Sequence, residues 1–299
     1  MLPVLKINPV QLHVGRIRID VLRLDAFDFI SGGNKLFKLQ FNIKEAKTLG
    51  FKTIATMGGA YSNHIAATAR ACRDHDITSV GIIRGEETDQ LNVTLSRAKD
   101  DGMELHYISR EEFRLYRDIR YMQNNFPDCY CIPEGGSNEN GVKGCETILT
   151  EITAPYDVIA MACGTGATLA GVTRSLRENQ RALGISVLKE CVAVDAGIRQ
   201  WLTDEKQGKY ILNGSYHFGG YAKTKPELLA FVERFNSDNE FRIEPVYTGK
   251  LFYALEDLAN NGVLSSGLKV LALHTGGLQY LPYEAEKINF VTDNLMKLR

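Results

Sequence analysis

The chain has 299 residues, 44% of them hydrophobic and 24% charged, with 35 Lys+Arg against 36 Asp+Glu. Those proportions suit an ordinary globular protein with a sizeable core. A formal net charge of −1 provides no field to gather nucleic acid or an anionic bilayer surface, so neither is an expected partner.

The opening Met1-Leu-Pro-Val-Leu-Lys6 lacks a basic region followed by a long apolar core, so a secretory signal is not expected. No apolar run is long enough for a bilayer span. Leu36, Leu39, Ile43 and Ala46 share one helical face, and Gly50 marks its stop. Residues 51–57 read as a strand entering Gly58-Gly59, 65–72 as a helix, and 77–83 as a strand ending near Gly85. A helix over 91–98, a strand over 103–108 and a helix over 111–122 follow. Residues 129–133 are extended into Gly135-Gly136, and 156–163 form a buried strand running into a glycine loop and a helix over 169–179. Then come a strand over 185–194, helices over 226–235 and 251–260, and a strand over 268–274 entering Gly276-Gly277. This alternation predicts an α/β fold with parallel sheets covered by helices. Ligands in such folds bind at the carboxyl ends of the strands. Gly32-Gly33, Gly58-Gly59, Gly135-Gly136, Gly164/Gly166 and Gly276-Gly277 are therefore expected to converge on one cleft, although each alone marks a turn equally well.

The six cysteines, at 72, 129, 131, 145, 163 and 191, contain no Cys-x-x-Cys pair, so no metal site is expected. Their scatter suits reduced thiols in the cytoplasm.

Three constellations carry possible chemistry. Lys35, in Gly32-Gly33-Asn34-Lys35-Leu36-Phe37-Lys38, stands beside glycines that let other groups approach. A desolvated lysine loses its preference for charge and becomes a nucleophile toward carbonyls; the plainer reading is a solvated lysine at a helix start. Cys163-Gly164-Thr165-Gly166-Ala167-Thr168 follows a strand and opens a helix, where free amides and the helix dipole favour a phosphate. Thr165 and Thr168 add hydroxyls, and no Gly-Lys-Ser/Thr follows to make a Walker loop. The same glycines, with a strand ending at Asp195, loosely imitate a dinucleotide fingerprint, which keeps a nicotinamide-dependent oxidoreductase open as a different class. In Gly58-Gly59-Ala60-Tyr61-Ser62-Asn63-His64, Ser62 is placed to cap a helix, and Asn63 with the helix amides can hold a carboxylate or a cofactor oxygen. The stretch Glu244-Pro-Val-Tyr247-Thr248-Gly-Lys250 reads as a strand end and turn, with a tyrosine able to cover a flat ring. No Gly-x-Ser-x-Gly elbow supports a serine hydrolase.

Taken in order, Gly32 to Lys35, Gly58 to His64, Gly135-Gly136-Ser137-Asn138, Cys163 to Gly171, Pro245 to Lys250 and His274-Thr-Gly-Gly277 resemble the fold-type II pyridoxal-phosphate enzymes. The resemblance is to the 1-aminocyclopropane-1-carboxylate deaminase and D-cysteine desulfhydrase group. It implies two α/β domains with helices on both faces of parallel sheets, in the manner of the tryptophan synthase β-chain. A large domain of 1–44 plus 137–299 would bind pyridoxal 5'-phosphate, and a small one of 45–136 would be inserted. Lys35 would link covalently to the cofactor and later move protons. Asn63 would bond the ring hydroxyl, Gly164, Thr165, Gly166, Ala167 and Thr168 would cradle the phosphate with help from Lys38, and Tyr247 would lie near the ring. Ser62 would act close to the substrate, with Asn63, His64 and Thr275 beside it. The resemblance also implies a homodimer and a small amino-acid substrate. Deaminases carry a glutamate facing the pyridine nitrogen where this chain has Thr248, a leucine where it has Thr275, and a glutamine where it has His64. This is the D-cysteine desulfhydrase-like pattern: a carboxylate would favour a protonated pyridinium, a strong electron sink, whereas a threonine hydroxyl shares only a neutral hydrogen bond, and the weaker sink suits elimination. The segment before Lys35 is shorter than is usual in the group, and Glu134 replaces a small or apolar residue.

Overall fold

The computed structural model describes residues 5–12, 17–27 and 33–278. Among the described residues ten strands form two sheets. The larger contains β1 (Ile7–Pro9), β2 (Arg18–Arg23), β7 (Val158–Cys163), β8 (Arg181–Ser186), β9 (Tyr210–Asn213) and β10 (Lys269–His274), in the order β1-β2-β10-β7-β8-β9. Only β1 runs antiparallel; β2, β10, β7, β8 and β9 pair in parallel, with Leu271 opposite both Asp20 and Ile159. The smaller sheet has β3 (Thr53–Gly59), β4 (Thr78–Arg84), β5 (Met103–Ile108) and β6 (Cys129–Ile132), all parallel, in the order β5-β4-β3-β6.

The helices are α1 (Asn34–Thr48), α2 (Asn63–Asp74), α3 (Val93–Asp100), α4 (Arg110–Leu115), α5 (Ile119–Asn125), α6 (Glu139–Glu146), α7 (Ala167–Ser175), α8 (Cys191–Arg199), α9 (Asp204–Gln207), α10 (Pro226–Asp238) and α11 (Thr248–Asn260). None of the described helices is long and apolar enough to cross a membrane.

Strand residues alternate faces, and both faces of the large sheet are apolar. Val21, Ala160, Ala162, Val270 and Ala272 meet α10 and α11 through Leu228, Phe231, Phe235, Leu251 and Phe252. Leu22, Ile159, Met161, Leu271 and Leu273 face the other way, onto Phe37 of α1, Val142 and Cys145 of α6, and Leu169 and Val172 of α7. In the small sheet Ile54 packs with Leu39 and Ile43 of α1 and Ala67 of α2, while Ala55 and Met57 meet Phe113 of α4 and Met122 of α5. Parallel sheets need this double cover, which is why their strands read as nearly unbroken apolar runs.

Four sequence readings are corrected. The helix expected over 111–122 is two helices, because Asp118 leaves the helical path and its side chain accepts the Arg120 N–H at 2.9 Å, starting α5. The helix expected over 169–179 begins earlier and ends at Ser175. The strand expected over 185–194 is β8, ending at Ser186, and Cys191 to Arg199 is helical. Finally, Glu244 to Lys250 is not a strand end: Thr248 already begins α11, and Tyr247 is its cap.

Candidate active site

The carboxyl ends of β3, β7 and β10 meet the amino ends of α1, α2, α7 and α11, and the sequence-predicted residues gather there. Gly33 leads into α1 with φ 101°, and a Cβ on it would stand 2.1 Å from the Thr275 carbonyl, so only glycine lets α1 start against the end of β10. The Asn34 amide N–H donates to that same carbonyl at 3.3 Å. The Asn34 side chain donates to Thr168 Oγ1 at 2.7 Å, which ties α1 to the first turn of α7. Gly136 lies against His64 and Lys38, Gly164 against the Tyr247 ring, and Gly277 against the Asn63 amide and Glu244. The glycine loops thus converge as expected, except that Gly32 lies outside the described residues.

Lys35 is the second residue of α1 and half-buried. Burial and the neighbouring Lys38 charge bring its amine from 10.5 down to about 7. Its recorded hydrogen bond is a long one, 3.4 Å to Asn34 Oδ1. Lys38 is buried one turn on; its ammonium donates to the Gly135 carbonyl at 3.0 Å, and burial lowers its pKa too. Two amines this close, Lys38 buried and Lys35 partly so, form a region of positive potential around a nucleophile.

Ser62 caps α2, accepting the Ile65 N–H at 3.4 Å, as its position predicted. His64, in the first turn of α2, is buried and neutral, its pKa held well below the usual value by burial and by the Lys35 and Lys38 charges. Thr56 donates its hydroxyl to the Ile132 carbonyl at 2.9 Å and so accepts from His64 Nε2 at 2.9 Å. This leaves His64 Nδ1 as a buried acceptor with no partner among the described residues.

The Gly164–Gly166 turn leads into α7 with Gly166 at φ 94° and no side-chain cap, so the first-turn amides of α7 are available to an anion. Thr165 is exposed, and its hydroxyl is bonded to Ser137. Asp195, the acid that a dinucleotide site would need at a strand end, sits inside α8, bonded to Arg199 at 2.7 Å and to the Tyr210 hydroxyl at 2.6 Å. That removes the nicotinamide reading.

Two residues were missed. Tyr221 lies edge-on to Tyr247, with ring centres 5.9 Å apart, and the two hydroxyls are hydrogen-bonded; burial raises both phenols, Tyr247 well above its usual value. Its only sequence signal was an aromatic after Gly219-Gly220. Glu244 is fully buried and accepts the N–H groups of Val246 (2.6 Å), Tyr247 (2.9 Å) and Thr248 (2.7 Å), capping α11. Its Oε1 also accepts the Thr248 hydroxyl at 3.0 Å. Thr248 is therefore backed by a carboxylate, and the neutral environment expected for it is amended.

No cluster among the described residues could hold a metal ion. The site fits a phosphorylated aldehyde: an amine of lowered pKa, an uncapped helix start, a buried unpartnered acceptor at His64, and glycines where a Cβ would fill the space.

Comparison with known proteins agrees. The chain is 30% identical over 275 residues to the bifunctional D-cysteine desulfhydrase/1-aminocyclopropane-1-carboxylate deaminase of Arabidopsis thaliana, covering 82% of this chain and 69% of the relative. It is 25% identical over 289 residues to a D-cysteine desulfhydrase of Klebsiella pneumoniae, covering 89% and 88%. A crystal structure of an ACC deaminase homologue superposes with a TM-score of 0.78 at 25% identity, covering all of this chain and 95% of the other. Residues 17–276 match the family described as pyridoxal-phosphate dependent enzyme, and the chain belongs to that family.

Proposed function

We propose that the protein eliminates the β-substituent of a small amino acid, with D-cysteine the best-fitting substrate: D-cysteine and water give pyruvate, ammonia and hydrogen sulfide. The observation that carries this is the Lys35 amine, brought to about 7 and therefore half neutral at working pH, where it can take up and return a proton. When bound, the pyridoxal ring supplies the electron sink that makes an α-carbon acidic. In this reading Lys35 holds the cofactor, and its Nζ then removes the α-proton. Lys38 and the amides of Gly164 to Thr168 hold the phosphate, and Asn63 the ring hydroxyl. Ser62 and His64 at the start of α2, with Thr275, contact the substrate, while Tyr247 covers the ring next to Thr248. Burial keeps Tyr247 protonated, so its hydroxyl can donate a hydrogen bond to the departing sulfur. Thr248 and Thr275, in place of glutamate and leucine, favour elimination.

A second reading, opening of 1-aminocyclopropane-1-carboxylate to 2-oxobutyrate and ammonia, is favoured by one observation: the Glu244 carboxylate bonded to Thr248 restores negative charge behind that hydroxyl. Incubating the cofactor-loaded protein with each substrate separates the two. Sulfide and pyruvate from D-cysteine are expected. 2-Oxobutyrate from the cyclopropane, without sulfide from D-cysteine, would select the second reading, and neither product, with the cofactor absorbance present, would overturn both.

The same reading makes the protein a cytoplasmic homodimer, in keeping with its six free cysteines, with a small inserted domain at 45–136, supported by a four-stranded sheet drawn wholly from Thr53 to Ile132. A monomer mass by light scattering would refute the dimer.

A further inference from the structure

Lys250 sits where elementary electrostatics disfavours a cation. It is the third residue of α11, at the positive end of the helix dipole, and it has no solvent-exposed surface. Burial brings its pKa down to about 8, and the nearby Glu244 carboxylate opposes that drop. A methionine would fill the volume without desolvating a charge. The ammonium is instead committed to two main-chain acceptors 33 and 30 residues away, donating to the His217 carbonyl at 2.9 Å and the Gly220 carbonyl at 2.8 Å.

Those carbonyls belong to a loop with an unusual backbone. Phe218 (φ 51°), Gly219 (102°), Gly220 (117°) and Ala222 (53°) are all left-handed, four of the five residues 218–222. Side-chain-bearing residues such as Phe218 and Ala222 adopt that region at a steric cost, and persist there only where surroundings enforce it. The loop is tethered to α11 by the Tyr216 hydroxyl on Asp257 (2.7 Å) and by Phe218 edge-on to Tyr253 (5.0 Å). Within the loop the Gly219 N–H donates to His217 Nδ1 at 2.8 Å, the Gly220 N–H to the His217 carbonyl at 3.0 Å and the Lys223 N–H to the Gly220 carbonyl at 3.2 Å, which closes the turn on itself; Lys250 ties the same two carbonyls to α11. The residue that this backbone aims is Tyr221, which reaches back to Tyr247, three residues before Lys250.

We propose that Lys250 is a positioning residue: its buried ammonium clamps the His217 and Gly220 carbonyls and thereby holds Tyr221 against Tyr247. The proposal rests on the reading above that Tyr247 lies at the reacting centre. Its physical content is that a point charge with three donors can gather two carbonyls of a strained turn, which no apolar side chain can do.

The test uses the holoenzyme and the variants K250M, Y221F and the double variant. In K250M, hydrogen exchange of the amides at 217–223 should quicken at least tenfold while both sheets stay unchanged. Its kcat should fall about 100-fold, the scale of a misplaced active-site group. Adding Y221F should cost little more, because the tyrosine is already displaced. Unchanged exchange in the loop overturns the proposal. So does exchange that quickens equally across the molecule, which marks a packing role only, and so do losses that multiply in the double variant. Y221F with normal kcat and KM would instead strike down the placement of the tyrosine pair at the reacting centre, and the exchange result would still decide the clamp. Should K250M not fold, K250Q, which keeps an amide donor on a shorter side chain without charge, is read by the same measurements: a smaller quickening confined to 217–223 is expected, and quickening spread across the molecule overturns the clamp.

Discussion

Replacing Lys35 by methionine makes a prediction that needs neither cofactor nor substrate. In the folded apoprotein the amine titrates at about 7, against 10.5 in its ordinary state. Below pH 7 both folded and unfolded chains carry the proton, and the folded chain bears the full cost of a buried charge. Above pH 7 the folded amine is neutral while the unfolded one stays protonated up to 10.5, so the unfolded state binds more protons and stability rises with pH. Weighting the two protonation equilibria at each pH gives a gain of ~3 kcal/mol between pH 6 and pH 9 from this one group. Urea unfolding of apoprotein, followed by far-ultraviolet circular dichroism at pH 6, 7.5 and 9, measures it. The K35M profile should lack that rise, so that the variant is favoured over the parent most strongly at pH 6. Parallel profiles for the two proteins would show that the amine is solvated, and the case for an uncharged nucleophile would go with it.

G33A should lower unfolding stability by about 3 kcal/mol or more, since a Cβ there meets the Thr275 carbonyl and the backbone is left-handed. An unshifted urea midpoint would mean that α1 and the end of β10 do not touch. E244Q should cost about 2 kcal/mol, because an amide cannot accept all the N–H and hydroxyl donors that converge on the carboxylate. It should also lower the Lys250 pKa further, since the Glu244 charge now raises it. Thermal melts at neutral pH check the first effect, and an unchanged midpoint would discount Glu244 as the cap of α11.

Much of the fold could be read from the chain. The nearly unbroken apolar runs of β3, β4, β7 and β10, each ending in glycine or with glycine close behind, needed only local rules, and so did the capping pattern at Ser62. The candidate site was legible because Lys35, Asn63 and Gly164 to Thr168 stand at fixed offsets from strand ends, and strand ends gather by topology. The failures share a cause. Residues 111–122 carry a helical pattern, and the break at Asp118 came from one side chain taking a backbone N–H. Asp195 looked like a strand-end acid because an apolar run was read through Ser186 into α8. Tyr221 carries no spacing that announces it, since its partner lies in another element, whereas Glu244 caps groups two to four residues on and was hidden because that stretch read as a strand end.

The linear order of residues thus determined the parallel sheets, the glycine turns and the lysine at the head of α1, because each depends on neighbours within a few positions. Only the tertiary structure decided that the amine of this lysine is brought down to about 7, that Asn34 bonds Thr168 across the site, and that Tyr221 meets Tyr247. Desolvation and long-range hydrogen bonds belong to an enclosure, and an enclosure exists only once segments hundreds of residues apart have closed around it.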